Sequence, residues 1–198
     1  MKHTRIVSLC LTALMACSVL LTSCGDSEKT TGVSVVVASA YVPDETLSSL
    51  QQTLDAGFSE EQSGFGCSVQ GISSGDSESD PMMAMSGMMK LTSMIAAKEV
   101  DVLITNEEEG QRQANGESFL PLSDLFAEEE LAGYELVSFE VTDEDGAEGD
   151  LNNVPCGIQL TDSSLSVLGD QVAVYVICNT ECLDDAKEVV LQLAELYN

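Results

Sequence analysis

The sequence contains almost none of the side chains on which most hydrolytic and nucleic-acid-binding sites depend. Its one histidine is His3, and tryptophan is absent. Beyond residue 23, only five basic residues stand against 34 acidic ones, which gives that region a formal charge of −29. Phosphate backbones are bound by Lys and Arg, so this balance excludes a nucleic-acid-binding protein. A Ser-His-Asp hydrolase is excluded in the same region, because no histidine is there to act as the base.

Long hydrophobic runs are also missing, except near the N-terminus. Residues 6–21 form an apolar run of 16 residues behind Lys2 and Arg5. A membrane-spanning helix needs about 20 apolar residues, so this run is typical of a signal peptide covering residues 1–23. It leads into the string LTSC, which resembles the lipobox of bacterial lipoproteins. The resemblance implies cleavage before Cys24 and lipidation of its sulfur, which would anchor the protein to the cell membrane on the extracytoplasmic side.

The rest of the chain divides into a short tether and one domain of ordinary size. Residues 24–32 are mostly small and polar, as in a flexible linker, and residues 33–198 are numerous enough to bury a hydrophobic core. Four cysteines lie in this domain: Cys67, Cys156, Cys178 and Cys182. An even number in an exported protein permits two disulfides, in any of three pairings.

Hydrophobic patterning predicts an α/β domain. Residues 33–39, 67–72 and 100–105 are rich in β-branched side chains and predict strands, while residues 46–56 and 81–98 predict helices between them. Asp80 followed by Pro81 is a typical helix start. Further strands are predicted at 134–142, 154–160 and 171–178, and a helix at 183–197. Alternating strands and helices favour right-handed parallel βαβ units in a three-layer sheet.

Several segments, in their order along the chain, resemble the extracellular solute-binding proteins of ABC importers, which have the type II periplasmic-binding fold. The segments are MMKLTSMIAAKEVDVLITN at residues 88–106, FLPLSDLF at 119–126, and a closing stretch that begins VPCGIQL at 154. The resemblance implies one lobe of such a protein, since the chain is short for two. It also implies non-catalytic binding of a small polar solute for uptake or sensing, an ABC permease as a partner, and no cofactor.

Polar residues that follow the predicted strands are the candidate ligand-binding residues. In open α/β sheets, ligands bind beyond the carboxyl ends of the strands. Hydroxyl, amide and carboxylate groups there can hydrogen-bond a polar solute. The same residue types also fill ordinary turns for backbone reasons. The rule selects Tyr41, Ser73, Ser74, Thr105, Asn106, Glu107 and Asn179.

Two other features allow alternative interpretations. Six methionines fall within residues 82–94, and soft thioethers select copper(I), so a copper(I)-binding lipoprotein is one alternative. We favour a methionine face packed in the core, because Met fills irregular gaps and no histidine accompanies these residues. The carboxylates between 143 and 150 could hold calcium loosely, but their spacing is more typical of a solvated loop. A structural or interaction protein of the cell surface, without a ligand pocket, is the remaining alternative.

Overall fold

Parallel βαβ units build the first half of the domain, which confirms the predicted α/β class. The computed structural model describes residues 32–59, 61, 63–141 and 149–198. Strands β1, β2 and β3 alternate with helices α1 and α2, and β1 pairs in parallel with both β2 and β3. The elements are β1 (Gly32–Ser39), α1 (Asp44–Gly57), β2 (Gly66–Ser73), α2 (Pro81–Ala96) and β3 (Val102–Thr105).

The second half of the chain extends the sheet with antiparallel pairs. Its elements are α3 (Glu107–Asn115), a 3-10 turn (Leu122–Asp124), α4 (Glu128–Leu131), β4 (Leu136–Val137), β5 (Gly157–Gln159), a 3-10 segment (Ser163–Leu168), β6 (Ala173–Val176) and α5 (Leu183–Tyr197). Within the described residues the sheet has the order β2-β1-β3-β6-β5-β4. Strand β6 is antiparallel to β3 and to β5, so the sheet is mixed.

Strand alternation places a hydrophobic cluster on each face of the sheet. In β1, Val35 and Val37 join the cluster under α1 and α5, while Val36 and Ala38 join the one under α2 and α3. Successive side chains of a strand point to opposite faces, so a run of apolar residues serves both clusters. Both clusters lie wholly within Gly32–Asn198, which forms one compact unit.

Helix α2 begins where the sequence predicts and exposes more methionine than expected. Asp80 Oδ1 accepts a hydrogen bond from the Met83 amide at 3.1 Å, and Pro81 occupies the first turn. Of the six methionines, Met94 is buried in the core as predicted. The prediction is wrong for four others, which face solvent: Met82, Met83, Met85 and Met89. Helix α2 buries Leu91, Met94 and Ile95 against the sheet, and its opposite face remains open to solvent.

Some predictions fall outside the described residues. These are the signal peptide, lipidated Cys24, most of the tether, and the carboxylates at positions 143–148. Within the described ranges, no helix is both long enough and apolar enough to span a membrane. The thiols of Cys67, Cys156 and Cys178 are not joined in disulfides. The predicted strand at 134–142 is reduced, in its described part, to the two residues of β4, and Phe139 forms only an isolated bridge with Asn152.

Candidate functional site

The carboxyl ends of β1, β2 and β3 meet at one edge of the sheet, because these three strands are parallel. The connection that follows β1 leads to β2, which lies on one side of β1. Strand β3 lies on the other side of β1, and the connection that follows it leads to β4, farther away on that side. The connections that follow β1 and β3 therefore diverge. This divergence is the topological switch point, where open α/β sheets bind their ligands.

A cavity of about 270 Å³ lies at this switch point, and we call it the strand-end cavity. It is lined from four sides by the end of β1, the loop after β2, one face of α2, and the start of α3. The lining residues are Ser39, Ala40, the loop residues 74–78, Ala84, Met88, Asn106, Glu108, Glu109 and Arg112. Several polar groups thus converge opposite a small apolar wall, which is the combination found in pockets for small ligands.

One backbone carbonyl fixes the position of two polar lining residues. Ser39 Oγ donates to the Leu168 carbonyl at 2.5 Å, and Asn106 Nδ2 donates to the same oxygen at 3.2 Å. Asn106 Oδ1 accepts the Glu109 amide at 3.1 Å and so caps α3. Gly169 allows this approach, because a Cβ there would lie 2.8 Å from Asn106 Nδ2. An amide nitrogen carries two protons, so Asn106 retains one donor for a ligand.

The loop after β2 presents a carboxylate that is held in its ionised form. The Ser74 amide donates to the Ser39 carbonyl at 2.9 Å, which attaches the loop to the end of β1. Asp76 Oδ1 accepts the amides of Ser79 at 3.1 Å and of Glu78 at 2.7 Å. These hydrogen bonds, the one from Ser79 most of all, lower the pKa of the Asp76 carboxyl below its usual value. Asp76 is therefore charged at neutral pH.

Negative charge predominates in the strand-end cavity. Four carboxylates line it against the single guanidinium of Arg112, which leaves a formal charge of −3. Arg112 Nη2 lies 3.0 Å from Glu108 Oε1, and Nη1 contacts the buried Glu109 carboxylate. Glu109 Oε1 also accepts a hydrogen bond from Gln113 Nε2 at 2.8 Å. In the part of the chain that the structure describes, no three His, Cys, Asp or Glu side chains are grouped closely enough to hold a metal ion.

Two of the seven predicted ligand-binding residues, Ser74 and Asn106, line the strand-end cavity. Ser73 and Thr105 lie at the same edge of the sheet, but the backbone engages their hydroxyl groups. Ser73 Oγ accepts the Val42 amide at 3.0 Å, and Thr105 Oγ1, fully buried, donates to a carbonyl of β1 at 2.7 Å. These two residues support the edge of the sheet rather than the cavity surface.

The other three predicted residues do not line the strand-end cavity. Tyr41 is 63% exposed and Glu107 is exposed, and neither lines the cavity. The choice of Asn179 assumes that β6 ends at the same edge of the sheet as β1, and this assumption is wrong. Because β6 runs antiparallel to β3, its carboxyl end lies at the opposite edge, where Asn179 Nδ2 donates to the Ile95 carbonyl at 2.7 Å.

Sequence reasoning missed most of the charged lining residues. Asp76 and Glu78 lie in the predicted polar loop after the second strand, only two and four residues beyond Ser74, so the strand-end rule could have included them. The spacing of Arg112, which follows Glu108 and Glu109 by four and three residues, shows only that the three share one face of the helix. Nothing local to these residues indicates that this face turns toward the ends of β1 and β2.

Comparison of this chain with protein-family models, with curated protein sequences and with solved structures gives no match. The α/β class rests on the structure itself. The closer resemblance to one lobe of a type II solute-binding protein is a proposal, and so is any function drawn from it.

A second, wider groove runs along α5 and does not compete with this site. Its volume is about 630 Å³, and Phe58, Tyr134 and Leu196 contribute its apolar surface, with three glutamates among the other lining residues. The groove lies open to solvent along its length, whereas small-molecule sites bury most of the ligand surface. The strand-end cavity is smaller but more enclosed, and polar groups line it from several sides.

Proposed function

We propose that this chain is a lipid-anchored extracytoplasmic protein whose α/β domain binds a small polar solute, without catalysis, in the strand-end cavity. The observation that carries this proposal is the position of the cavity. It lies at the topological switch point between β1 and β3, and hydroxyl, amide and carboxylate groups line it. On this proposal the domain corresponds to one lobe of a type II solute-binding protein, serving uptake through an ABC permease or sensing.

The charge of the cavity favours a solute that carries an amine or another cationic group. Four carboxylates face a single guanidinium that two of them already engage. An anionic solute would meet net repulsion at close range. An ammonium group can instead donate hydrogen bonds to Glu78 and Asp76, and Met88 and Ala84 offer an apolar wall to a short carbon chain.

The membrane location in this proposal is supported by the N-terminal sequence. The apolar run of residues 6–21 and the string LTSC ending at Cys24 are the features that support it. Growth with a labelled fatty acid should label the wild-type protein, while Cys24→Ala should remain unlabelled and retain residues 1–23. Labelling of Cys24→Ala, or wild-type protein that keeps its leader, would contradict the proposed anchor.

Ligand binding can be tested with a thermal-shift screen of residues 25–198, since both hydrophobic clusters lie within that range. The panel would contain amines, amino acids, sugars, short peptides and inorganic phosphate. A ligand present at 100 times its dissociation constant should stabilise the domain by about 2.7 kcal/mol, which raises Tm by several degrees. We expect the largest shift from a cationic or zwitterionic compound. A flat response throughout the panel would contradict solute binding and favour a surface protein with a macromolecular partner.

A matched pair of substitutions on α2 tests the location of the site. Ala84 lines the strand-end cavity, whereas Ala96 is exposed at the other end of the same helix. Ala84→Leu should abolish binding by filling the cavity, and Ala96→Leu, the same change on the same helix, should leave the dissociation constant unchanged. Equal affinities for the two variants would place the ligand elsewhere.

A second matched pair tests the charge. Glu78 lines the cavity, and Glu129 is an exposed glutamate on α4. An exposed ion pair contributes up to about 1 kcal/mol, so Glu78→Gln should weaken binding of a cationic ligand by roughly two- to fivefold. Glu129→Gln should have no effect, and the difference should shrink as salt is added.

A further inference from the structure

Helix α2 carries an exposed row of methionines that the strand-end cavity does not explain. Met82 is 79% exposed, Met89 63%, Met85 57% and Met83 46%. Thioethers are apolar, and soluble proteins rarely cluster exposed apolar side chains without a use for them. Nothing in the described part of the chain covers the outer face of α2.

The composition of α2 differs from that of the rest of the protein. The sequence contains 34 acidic residues, yet the segment Pro81–Ala96 contains none, and Lys90 is its one charged residue. Glutamate has a helix propensity close to that of methionine, so helix formation does not require Met at exposed positions. Leucine also favours helix and would suit an apolar contact surface equally well. What distinguishes methionine from leucine at these positions is its sulfur.

The spacing of three of these methionines brings their side chains together. Met82, Met85 and Met89 follow one another at intervals of three and four residues within α2, so they lie on one face of the helix. Successive members have Cβ atoms about 5–6 Å apart, while Met82 and Met89 lie about 10 Å apart along the helix axis with Met85 between them. The three rotatable bonds of a methionine side chain allow the two outer sulfurs to turn toward that of Met85. We call these three residues the methionine triad. Met94, by contrast, points into the core.

We propose that the methionine triad binds a soft monovalent metal ion, copper(I), through its three thioether sulfurs. Soft sulfur ligands select copper(I) over the hard cations that carboxylates prefer. The three neutral ligands leave the positive charge of the ion uncompensated, and the surrounding acidic domain attracts such a cation from a distance. The proposal is independent of solute binding in the strand-end cavity.

The test is a silver(I) titration of residues 25–198 with labelled methionine methyl groups, followed by NMR. Silver(I) is a redox-stable probe for copper(I) sites, and accessible thiols are alkylated first because Cys178 is exposed and would bind the metal. We expect the methyl signals of Met82, Met85 and Met89 to shift together and to saturate at one equivalent. The Met94 signal should stay in place. Copper(I), supplied without oxygen, should shift the same three signals.

Two sets of leucine substitutions make this test specific. Leucine is close to methionine in volume and helix propensity, and the triad is exposed, so Met82→Leu, Met85→Leu and Met89→Leu combined should leave the fold intact. This variant should lose saturable binding, as monitored by mass spectrometry under native conditions. The matched control, Met83→Leu with Met88→Leu, should bind silver(I) as wild type does.

Two outcomes would overturn the proposal. If silver(I) shifts none of the triad methyl signals, or if the triple variant binds as well as the control, the methionine triad is not a metal site and its face of α2 is an apolar contact surface. Ala84→Leu separates the two proposals, because it fills the strand-end cavity and should leave silver(I) binding unchanged.

Discussion

The hydroxyl group of Tyr175 provides a sharp test of the energetics of the core. Tyr175 is fully buried in β6, and its hydroxyl has no hydrogen-bond partner among the described residues. Its ring stacks on Phe119 at a centroid distance of 4.2 Å and lies 6.1 Å from Phe139. Burial, followed by the nearby Cys156 and Glu107, raises the pKa of the phenol far above its usual value.

Tyr175→Phe should therefore stabilise the protein. A buried hydroxyl without a partner costs about 1–3 kcal/mol relative to water. Removing the oxygen leaves a void no larger than a water molecule, at about 24 cal/mol per Å³, which offsets only a few tenths of a kcal/mol. The free energy of unfolding should rise by about 1–2 kcal/mol. For a domain of this size, that corresponds to an increase in Tm of roughly 2–8 °C.

Tyr197→Phe is the matched control. Tyr197 is also buried, but its hydroxyl lies 3.2 Å from Thr53 Oγ1 and shares a hydrogen bond with it. Losing that bond should lower the free energy of unfolding by about 0.5–1.5 kcal/mol. Urea denaturation of both variants gives the comparison. A loss of 1 kcal/mol or more in Tyr175→Phe would show that the Tyr175 hydroxyl has a partner, such as an ordered water, and would refute this reasoning.

Three further predictions concern other buried groups. Asp101 is buried and accepts a hydrogen bond from the Ser34 amide at 2.8 Å. Asp101→Ala should therefore lower the free energy of unfolding, measured in urea, by about 1–3 kcal/mol. Glu99 is exposed, so the control Glu99→Ala should change that free energy by less than about 0.5 kcal/mol. Cys178 is exposed and should react with a thiol reagent at once, while Cys156 should react only as the protein unfolds; equal rates would contradict its burial. Burial raises the pKa of the Cys156 thiol from 9.0 to about 12, so the folded state holds that proton more tightly than the unfolded state does. The contribution of this proton to the free energy of unfolding should be fully present below pH ~8.5 and should be lost as the pH rises toward 12. The urea midpoint should decline less between pH 9 and 11 in Cys156→Ala than in wild type.

Local sequence patterns were sufficient to predict the elements of the first half of the domain. The β-branched run at 33–39 matches β1 closely, and the pair Asp80-Pro81 marks the start of α2 to the residue. These features depend on side chains within a few positions of one another. The structure accordingly confirms their type and approximate bounds.

The direction of β6 could not be predicted in the same way. It is determined by pairs such as Val102 with Val176 and Thr105 with Ala173, which join residues far apart in the chain. A buried run such as residues 171–178 is equally compatible with either direction, because both of its faces are apolar. The error in placing Asn179 follows directly from this, since the direction of a strand decides at which edge its last residue lies.

The candidate site was predictable only where it depends on the ends of the parallel strands. The strand-end rule found Ser74 and Asn106, because it requires only that three parallel strands end together. It could not find Glu109 or Arg112, which reach the cavity through the packing of α3 against the sheet. The solvent exposure of the methionines has a related cause, because it depends on which face of α2 packs against the sheet.

The position of β6 also sets the order in which the sheet can form as the chain is synthesised. β3 and β5 lie on either side of β6, so in the part of the sheet that the structure describes, residues 173–176 join its two halves. A chain that emerges N-terminus first leaves one edge of β3 unpaired until those residues arrive, and such an edge can pair with other chains. Completion of the sheet therefore depends on a late, long-range step, which is slow compared with local folding.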